Sequence, residues 1–155
     1  MATTTDSVSI KTAVASKKPV QVSSCEVSWS KFVIGGVETC LKANGKGFIS
    51  DAASACKSIG AKLPLPTNNQ ENSDLGFAIT SLGLTGAALD CTRLKNRHKW
   101  RDSDGSSCTY FLWQPGQPNA QINKDAYLAI DMEKKGEWND YWGDTSENYV
   151  CQKAI

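Results

Sequence analysis

Apolar residues recur at helical spacing near the start of the patterned part of the chain. The recurring positions are Ile49, Ala52, Ala53, Cys56 and Ile59. Positions three or four apart share one face of a helix, so this pattern predicts an amphipathic helix with that face buried. Ser50 is suited to cap the N-terminus of the helix, and Gly60 is suited to end it.

The segment that follows is predicted to be extended and to lead into a second helix. Residues 63–66 read Leu-Pro-Leu-Pro, and two prolines this close together exclude a helix. The second helix is predicted to begin at Thr67 or Asn68, with Gln70 or Glu71 completing a capping box. Its apolar stripe consists of Leu75, Ile79 and Leu82.

From Thr85 to the C-terminus the pattern changes to short strands. The strands are separated by loops rich in Gly, Asp and Asn, such as the Asp-Ser-Asp-Gly stretch at 102–105. Helices followed by strands, all of them short, indicate an α+β domain. The chain has 155 residues, which suits one domain with its own core, and it shows neither an internal repeat nor an interdomain linker.

One stretch in this second half alternates between cations and other residues. The cations are Arg93, Lys95, Arg97, Lys99 and Arg101. In an extended strand this period places all of them on one face, with His98 on the other face in a structural role. A charged edge that prevents strand pairing is one interpretation. The alternative is a docking face for sulfated or carboxylated glycans, which are anionic.

Charge and cysteine content narrow the class of protein. The net charge of +1 gives no general attraction to nucleic acid or to an anionic membrane. The apolar runs are far shorter than a membrane-spanning helix, so no membrane span is predicted. Six cysteines indicate disulfides and a secreted, extracellular protein. Zinc is the alternative, but the sequence has no Cys-x-x-Cys motif and His98 is its only histidine.

Residues 1–24 differ from the rest of the chain. They are rich in Thr, Ser, Ala, Val and Lys, contain no aromatic residue, and lack both a helical period and the apolar block of a signal peptide. We expect a flexible N-terminal segment, either a short stalk or the trimmed start of a mature protein. The folded domain is predicted to span residues 25–155.

Two short motifs carry the candidate chemistry. Residues 117–119 read Gln-Pro-Asn, and residues 138–140 read Trp-Asn-Asp. Their oxygen-bearing side chains belong to Gln117, Asn119, Asn139 and Asp140. Amide and carboxylate oxygens are the ligands that calcium prefers, and calcium held in this way can take sugar hydroxyls as its remaining ligands. The competing interpretation is that 117–119 is only a turn and Trp138 only a core residue.

These motifs resemble the sugar-binding site of the C-type lectin-like domains, and other landmarks occur in that family's order. Cys25 and Cys40 resemble the N-terminal pair of the long form. Residues 53–65 resemble the first helix and the strand after it, 69–72 the start of the second helix, and 149–152 the closing strand. The resemblance runs from about Cys25 to the C-terminus. It implies an α+β fold in which two helices flank small antiparallel sheets with a long loop region.

The same resemblance implies a set of disulfides. It pairs Cys25 with Cys40 and Cys56 with Cys151, which leaves Cys91 and Cys108 to pair with each other. The family's usual bridge inside the binding lobe falls at Ala126 and Gly143, so both of its partners are missing together. We therefore expect Cys91–Cys108 to be a substituted cross-link.

The resemblance also assigns roles within the site. In the family, both residues that flank the central proline bind calcium, and the proline bond is cis; Pro118 is the corresponding proline here. Gln117 and Asn119 would offer amide oxygens to the metal and amide hydrogens to a sugar hydroxyl. Asn139 would add another amide oxygen, and Asp140 a carboxylate.

One position departs from the family pattern. Where the family has a glutamate ligand, this sequence has Lys124, with Asp125 next to it. Losing a carboxylate and gaining an ammonium weakens calcium binding, because affinity follows the charge and number of the ligands. Two alternatives remain open: Asp125 turns inward and binds the metal, or Lys124 takes the place of the cation and contacts the sugar.

Specificity and function remain hypotheses at this point. Gln-Pro-Asn lies between the Glu-Pro-Asn of mannose-type and the Gln-Pro-Asp of galactose-type members, and Tyr141 or Trp142 could stack on a sugar. The first hypothesis is a secreted, calcium-dependent lectin. The second is a metal-free domain of the same fold that binds a protein, a matrix, ice or a mineral surface. No catalytic cluster is recognisable, so an enzyme is not predicted.

Overall fold

A computed structural model describes residues 24–155, which form two α-helices and two three-stranded antiparallel sheets. The elements are β1 Ser30–Ile34, β2 Val37–Phe48, α1 Ile49–Lys57, α2 Asn69–Ser81, β3 Gly86–Arg93, β4 Ala126–Asp131, β5 Glu137–Trp142 and β6 Ser146–Ala154. The predicted α+β class is confirmed. The N-terminal segment predicted to be flexible lies outside the described residues, apart from Ser24.

The first sheet joins the two ends of the described chain, with strand order β1-β2-β6. A two-residue turn at Gly35 and Gly36 links β1 to β2, and Ile34 pairs with Val37 across it. Both glycines have positive φ, 58° and 81°, which is the backbone that a tight type I′ hairpin requires. Strand β6 then returns antiparallel along β2 and closes the domain.

Helix α1 starts without the cap predicted from the sequence. The prediction that Ser50 caps the helix is wrong, because the helix already begins at Ile49. The backbone N–H groups of Ile49 and Ser50 instead donate to the carbonyls of Thr145 (2.8 Å) and Gly143 (3.2 Å). The connection between β5 and β6 therefore satisfies donors that a serine side chain would otherwise satisfy.

Helix α2 starts where the sequence predicts. The Asn68 side chain accepts the Glu71 N–H at 2.9 Å, and the Glu71 carboxylate accepts the N–H of Thr67 at 2.6 Å. This reciprocal bonding fixes the first turn of the helix. None of the helices within residues 24–155 is long and apolar enough to cross a membrane.

The predicted disulfides are all present. They join Cys25 to Cys40, Cys56 to Cys151 and Cys91 to Cys108, and no free cysteine remains among the described residues. The second bridge links residues 95 positions apart, so in the chain-entropy account it contributes the most, on the order of 4–5 kcal/mol. With every cysteine in a bridge, the zinc alternative has no thiolate ligands.

The core formed by residues 24–155 consists of two clusters. The larger one packs α2 against the second sheet, whose strand order is β3-β4-β5, and its largest buried side chain is Trp138. The smaller one surrounds the Cys56–Cys151 bridge beneath α1. Strand β5, which carries the Trp-Asn-Asp motif, is therefore anchored in the larger cluster.

The alternating basic segment is not the strand that its pattern predicts. Strand β3 ends at Arg93, and the chain turns at Lys95 and Asn96, where Asn96 has a φ of 59°. Arg93 is buried, and its guanidinium donates to the carbonyls of Ala120, Gln121 and Lys124. The prediction of five cations on one face is wrong, because the first cation points into the fold and the turn separates it from the last three.

Candidate functional site

The position of β5 is set by a buried side chain of α2. The Trp138 indole N–H donates to the Asn72 side-chain oxygen at 2.7 Å, and the Asn72 amide donates to the Gly136 carbonyl at 2.9 Å. Asn72 and Trp138 are both buried, so these bonds are shielded from water. Sequence reasoning missed Asn72. The available signal was a polar residue three positions before Leu75, on the apolar face of the helix.

The loop that carries the Gln-Pro-Asn motif lies along β5. Backbone hydrogen bonds run from the Gln114 N–H to the Trp138 carbonyl (2.9 Å) and from the Trp138 N–H to the Leu112 carbonyl (2.6 Å). The peptide bond between Gln117 and Pro118 is cis, as the family resemblance implies. The two motifs are thus neighbours in space although about twenty positions separate them.

Asp140 connects the two motifs directly. The residue is 5% exposed. Both carboxylate oxygens accept the Asn119 N–H at 3.1 Å, and one of them accepts the Ala120 N–H at 2.7 Å. Charge-assisted bonds of this kind are stronger than neutral ones, so Asp140 holds the motif loop against β5.

The side chain of Asn139 makes its contacts along its own strand. Its amide oxygen accepts the N–H of Asp140 at 2.8 Å, and the side chain hydrogen-bonds the Tyr141 hydroxyl. Burial raises the pKa of Tyr141, and the bond with Asn139 partly offsets this increase. Tyr141 itself packs against the smaller core cluster. The exposed aromatic of this strand is Trp142, of which 42% is accessible.

Gln117 contributes an unused acceptor to the site. Its side-chain oxygen is buried and accepts no hydrogen bond from the described part of the chain. A buried acceptor without a partner costs roughly 1–3 kcal/mol. A cation or a hydrogen-bond donor that entered this site would remove that cost.

The two residues at the position of the missing glutamate are engaged elsewhere. The Lys124 ammonium lies 4.0 Å from the centre of the Trp142 ring, in a cation–π contact. The Asp125 carboxylate accepts the N–H of Lys95 at 2.7 Å. Together these four residues border an open cavity of about 360 Å³. The bond to Lys95 uses one of the two oxygens of the Asp125 carboxylate.

Arg93 anchors the loop between the motif and Lys124. Its guanidinium donates to the carbonyls of Ala120 (3.3 Å), Gln121 (2.9 Å) and Lys124 (3.2 Å). The sequence pattern had grouped Arg93 with the surface cations. Its position two residues after Cys91 and four after Leu89, on the same face of β3, was the signal that its side chain is buried.

The donors available to a metal are mostly neutral. No group of three or more His, Cys, Asp or Glu side chains within residues 24–155 could hold a metal ion. The motif oxygens are three amides, from Gln117, Asn119 and Asn139, and the carboxylate of Asp140. Such a set fits calcium by ligand type. It supplies a single negative charge, which corresponds to weak binding.

Comparisons with known proteins agree with this description. The sequence profile of the family described as Lectin C-type domain matches residues 47–153. The Perlucin-like protein of Mytilus galloprovincialis is 31% identical over 146 residues, which cover 88% of each chain.

Solved structures share the fold at lower identity. The mouse scavenger receptor C-type lectin carbohydrate-recognition domain superposes with a TM-score of 0.69 at 23% identity, over 84% of this chain and 96% of that one. A calcium-independent type II antifreeze protein gives a TM-score of 0.68 at 18% identity, over 84% and 95% of the two chains. C-type lectin domains are generally binding modules rather than enzymes. From its profile match, its mussel relative and its fold, the chain belongs to the C-type lectin domain family.

Proposed function

We propose that this chain is a secreted, calcium-dependent carbohydrate-binding domain that binds sugar hydroxyls where the Gln-Pro-Asn loop meets β5. The observation that carries the proposal is the buried side-chain oxygen of Gln117, which has no partner among the described residues. It lies in the loop that Asp140 holds against β5. A cation at this place would use an oxygen that the fold leaves unsatisfied.

Each motif residue has a distinct part in the proposed site. The amide oxygens of Gln117, Asn119 and Asn139 and the carboxylate of Asp140 would hold calcium, which when bound supplies a positive centre for sugar oxygens. An amide oxygen has two lone pairs, so Asn139 can keep its bond to the Asp140 N–H. The NH₂ groups of Gln117 and Asn119 would donate to the same hydroxyls.

The proposed sugars are of mannose or galactose type. Gln-Pro-Asn has the first residue of one family motif and the last residue of the other, so it favours neither class. Trp142 is the exposed aromatic that could stack on an apolar sugar face. Its ring is already in contact with the Lys124 ammonium, so a sugar would share or displace that contact.

A second candidate function rests on Lys124 and Asp125. The Lys124 ammonium lies over Trp142 and the Asp125 carboxylate accepts the Lys95 N–H, so the position expected to carry the family's glutamate ligand carries a positive charge instead. A metal-free domain would use Lys124 as its cation and bind a protein, a matrix, ice or a mineral surface. The calcium-independent antifreeze protein of the same fold is a precedent for a member that does without the metal.

A glycan array in calcium and again in chelator separates the two candidates. The proposed function predicts binding to mannose- or galactose-terminated glycans that is lost in chelator. Binding of mannose- or galactose-terminated glycans that survives chelation favours the metal-free alternative, and an absence of their binding in both conditions contradicts the proposed lectin function. Lys57→Gln, a change at an exposed residue of α1 far along the chain from the motifs, is a control that should leave the pattern unchanged.

A further inference from the structure

We propose that the open cavity between the 94–99 loop and the 102–105 turn is a second, calcium-independent site that binds the anionic group of an acidic glycan. This inference does not rest on the proposed calcium site, which none of the cavity's lining residues belongs to. The cavity has a volume of about 740 Å³. That is within the range of about 300–1,000 Å³ typical of ligand pockets.

The cavity is lined by cations. Arg97, Lys99 and Arg101 border it together with His98, and the lining contains one carboxylate, that of Asp102. None of the ion pairs formed by residues 24–155 uses these three cations. The Asp102 carboxylate is turned to its own loop, where it accepts the N–H groups at 104 and 106, both at 2.9 Å. Positive charge in the cavity is therefore in excess.

Backbone hydrogen bonds and a disulfide hold the segments that form the walls of the cavity. Thr92 and Arg101 exchange two backbone hydrogen bonds, of 2.8 and 2.9 Å, at the base of the 94–99 loop. The Cys91–Cys108 bridge links the chain just before the 94–99 loop to the chain just after the 102–105 turn. Preformed walls lower the entropy cost of binding, because the backbone that carries the cations is already in place before a ligand arrives.

An anionic group on a ligand would complement the cationic side chains of the cavity. A sulfate or a carboxylate can accept two parallel bonds from the guanidinium of Arg97 and a further bond from the Lys99 ammonium. It would also relieve the mutual repulsion of the cations. Arg101 already donates to the Gly105 carbonyl at 2.9 Å, so it contributes charge and holds the turn in place.

The lining favours a sugar over other polyanions. Leu94 is 57% exposed beside the cations and offers an apolar surface to a sugar ring. The described residues that line the cavity include no Phe, Tyr or Trp on which a nucleic acid base could stack. The net charge of +1 gives the chain as a whole no general attraction to a long acidic partner.

Calorimetric titration with a heparin-derived hexasaccharide in the presence of chelator tests the site. The Arg97→Gln/Lys99→Gln variant should weaken binding by roughly tenfold or more, because it removes charge-assisted hydrogen bonds. The matched control is Lys57→Gln/Lys134→Gln, which removes the same charge at exposed positions on α1 and the turn after β4. It should bind as the unaltered chain does, and equal melting temperatures should show that all three proteins are folded.

Titrations with two further ligands identify the anionic group and show which results would overturn the proposal. A desulfated hexasaccharide that still binds, with the same dependence on Arg97 and Lys99, assigns the site to carboxylate; loss of its binding assigns the site to sulfate. Equal weakening in both double variants would overturn the proposal, as would the absence of binding in the unaltered chain. Equally tight binding of polyglutamate would overturn it as well, since the surface would then be a general polyanion binder. Because chelator is present throughout, each of these results is independent of the calcium site.

Discussion

The two sides that we propose for the calcium site, β5 and the loop before β4, differ in the other contacts that their residues make. On the β5 side, Asp140 is buried and its carboxylate holds the motif loop through two backbone N–H groups. On the opposite side, Lys124 is exposed and its ammonium contacts only the face of Trp142 among the interactions described. A change on the first side alters the fold and the chemistry together. A change on the second side alters the charge alone. The chain can therefore carry Lys124 in place of the family's glutamate and remain folded.

The largest effect is expected from Asp140→Asn. Asparagine keeps the shape and one accepting oxygen for the loop, but it removes the only carboxylate of the proposed ligand set. Calcium-dependent sugar binding should weaken by about 4 kcal/mol, the interaction of unit charges about 4 Å apart at an effective dielectric of about 20. Surface plasmon resonance on a glycan identified by the array measures this change.

The control for this change is Asp144→Asn, at an exposed position that borders the neighbouring cavity. It removes the same charge outside the motif and should leave sugar binding unchanged. If both variants lost sugar binding equally, the loss would come from the change in overall charge, and Asp140 would not be a ligand.

Arg93→Met tests the anchoring of the loop on the other side. The substitution keeps an apolar side chain of similar length but leaves three carbonyls without their donor. We expect a loss of about 2–4 kcal/mol in the free energy of unfolding, measured by urea denaturation. Lys99→Met, an exposed cation of the same segment, should cost less than about 0.5 kcal/mol. Equal losses in the two variants would show that the buried hydrogen bonds of Arg93 add nothing to the free energy of unfolding beyond what an exposed cation adds.

Lys124→Glu changes the charge at the position where the family has a glutamate ligand. It restores the family's acidic residue and removes an ammonium, so calcium should bind about 1–3 kcal/mol more tightly. Lys95→Glu makes the same charge change on another wall of the cavity and serves as the control. If calcium affinity rose equally in both variants, the increase would come from the added negative charge in general and not from a new ligand to calcium. If sugar binding were lost in Lys124→Glu alone, the metal-free function that uses Lys124 would be favoured.

The smallest expected effect concerns a second buried carboxylate, that of Asp90. Burial raises its pKa, and the hydrogen bonds from Ser103 partly offset this increase. The folded state therefore holds the Asp90 proton more tightly than the unfolded chain does. The stability from this group is fully present below its unfolded pKa and is lost as the pH rises through the raised pKa.

Urea denaturation across this acidic window measures the effect against Asp90→Asn. The unaltered chain should lose stability relative to the variant as the pH rises, and the difference should level off above the raised pKa. Glu147, whose pKa burial also raises, contributes in the same direction and remains in both proteins. A constant difference across the window would show that Asp90 titrates alike in the folded and unfolded states.

Local chemistry and family order made much of this fold predictable. The start of α2 followed from Asn68 and Glu71, which bond within one turn of each other. The disulfides followed from the order of the landmarks. The cis bond before Pro118 followed from the motif that contains it.

What the sequence did not reveal depends on distant partners. The donors at the start of α1 are satisfied by carbonyls about ninety positions away, so a local cap at Ser50 is not needed. Arg93 is buried because carbonyls of the 120–124 loop surround its guanidinium. Asn72 is buried because it meets the Trp138 indole. In each case the local pattern of the sequence does not show which distant residue supplies the hydrogen-bonding partner.

The most direct test of the central claim is a calorimetric titration of calcium into the unaltered chain and into Asp140→Asn. The proposed site predicts one calcium ion per chain, bound weakly because a single carboxylate contributes charge, and no measurable binding in the variant. Equal affinity in the two proteins would place the metal elsewhere. The absence of binding in the unaltered chain would contradict the calcium-dependent function altogether.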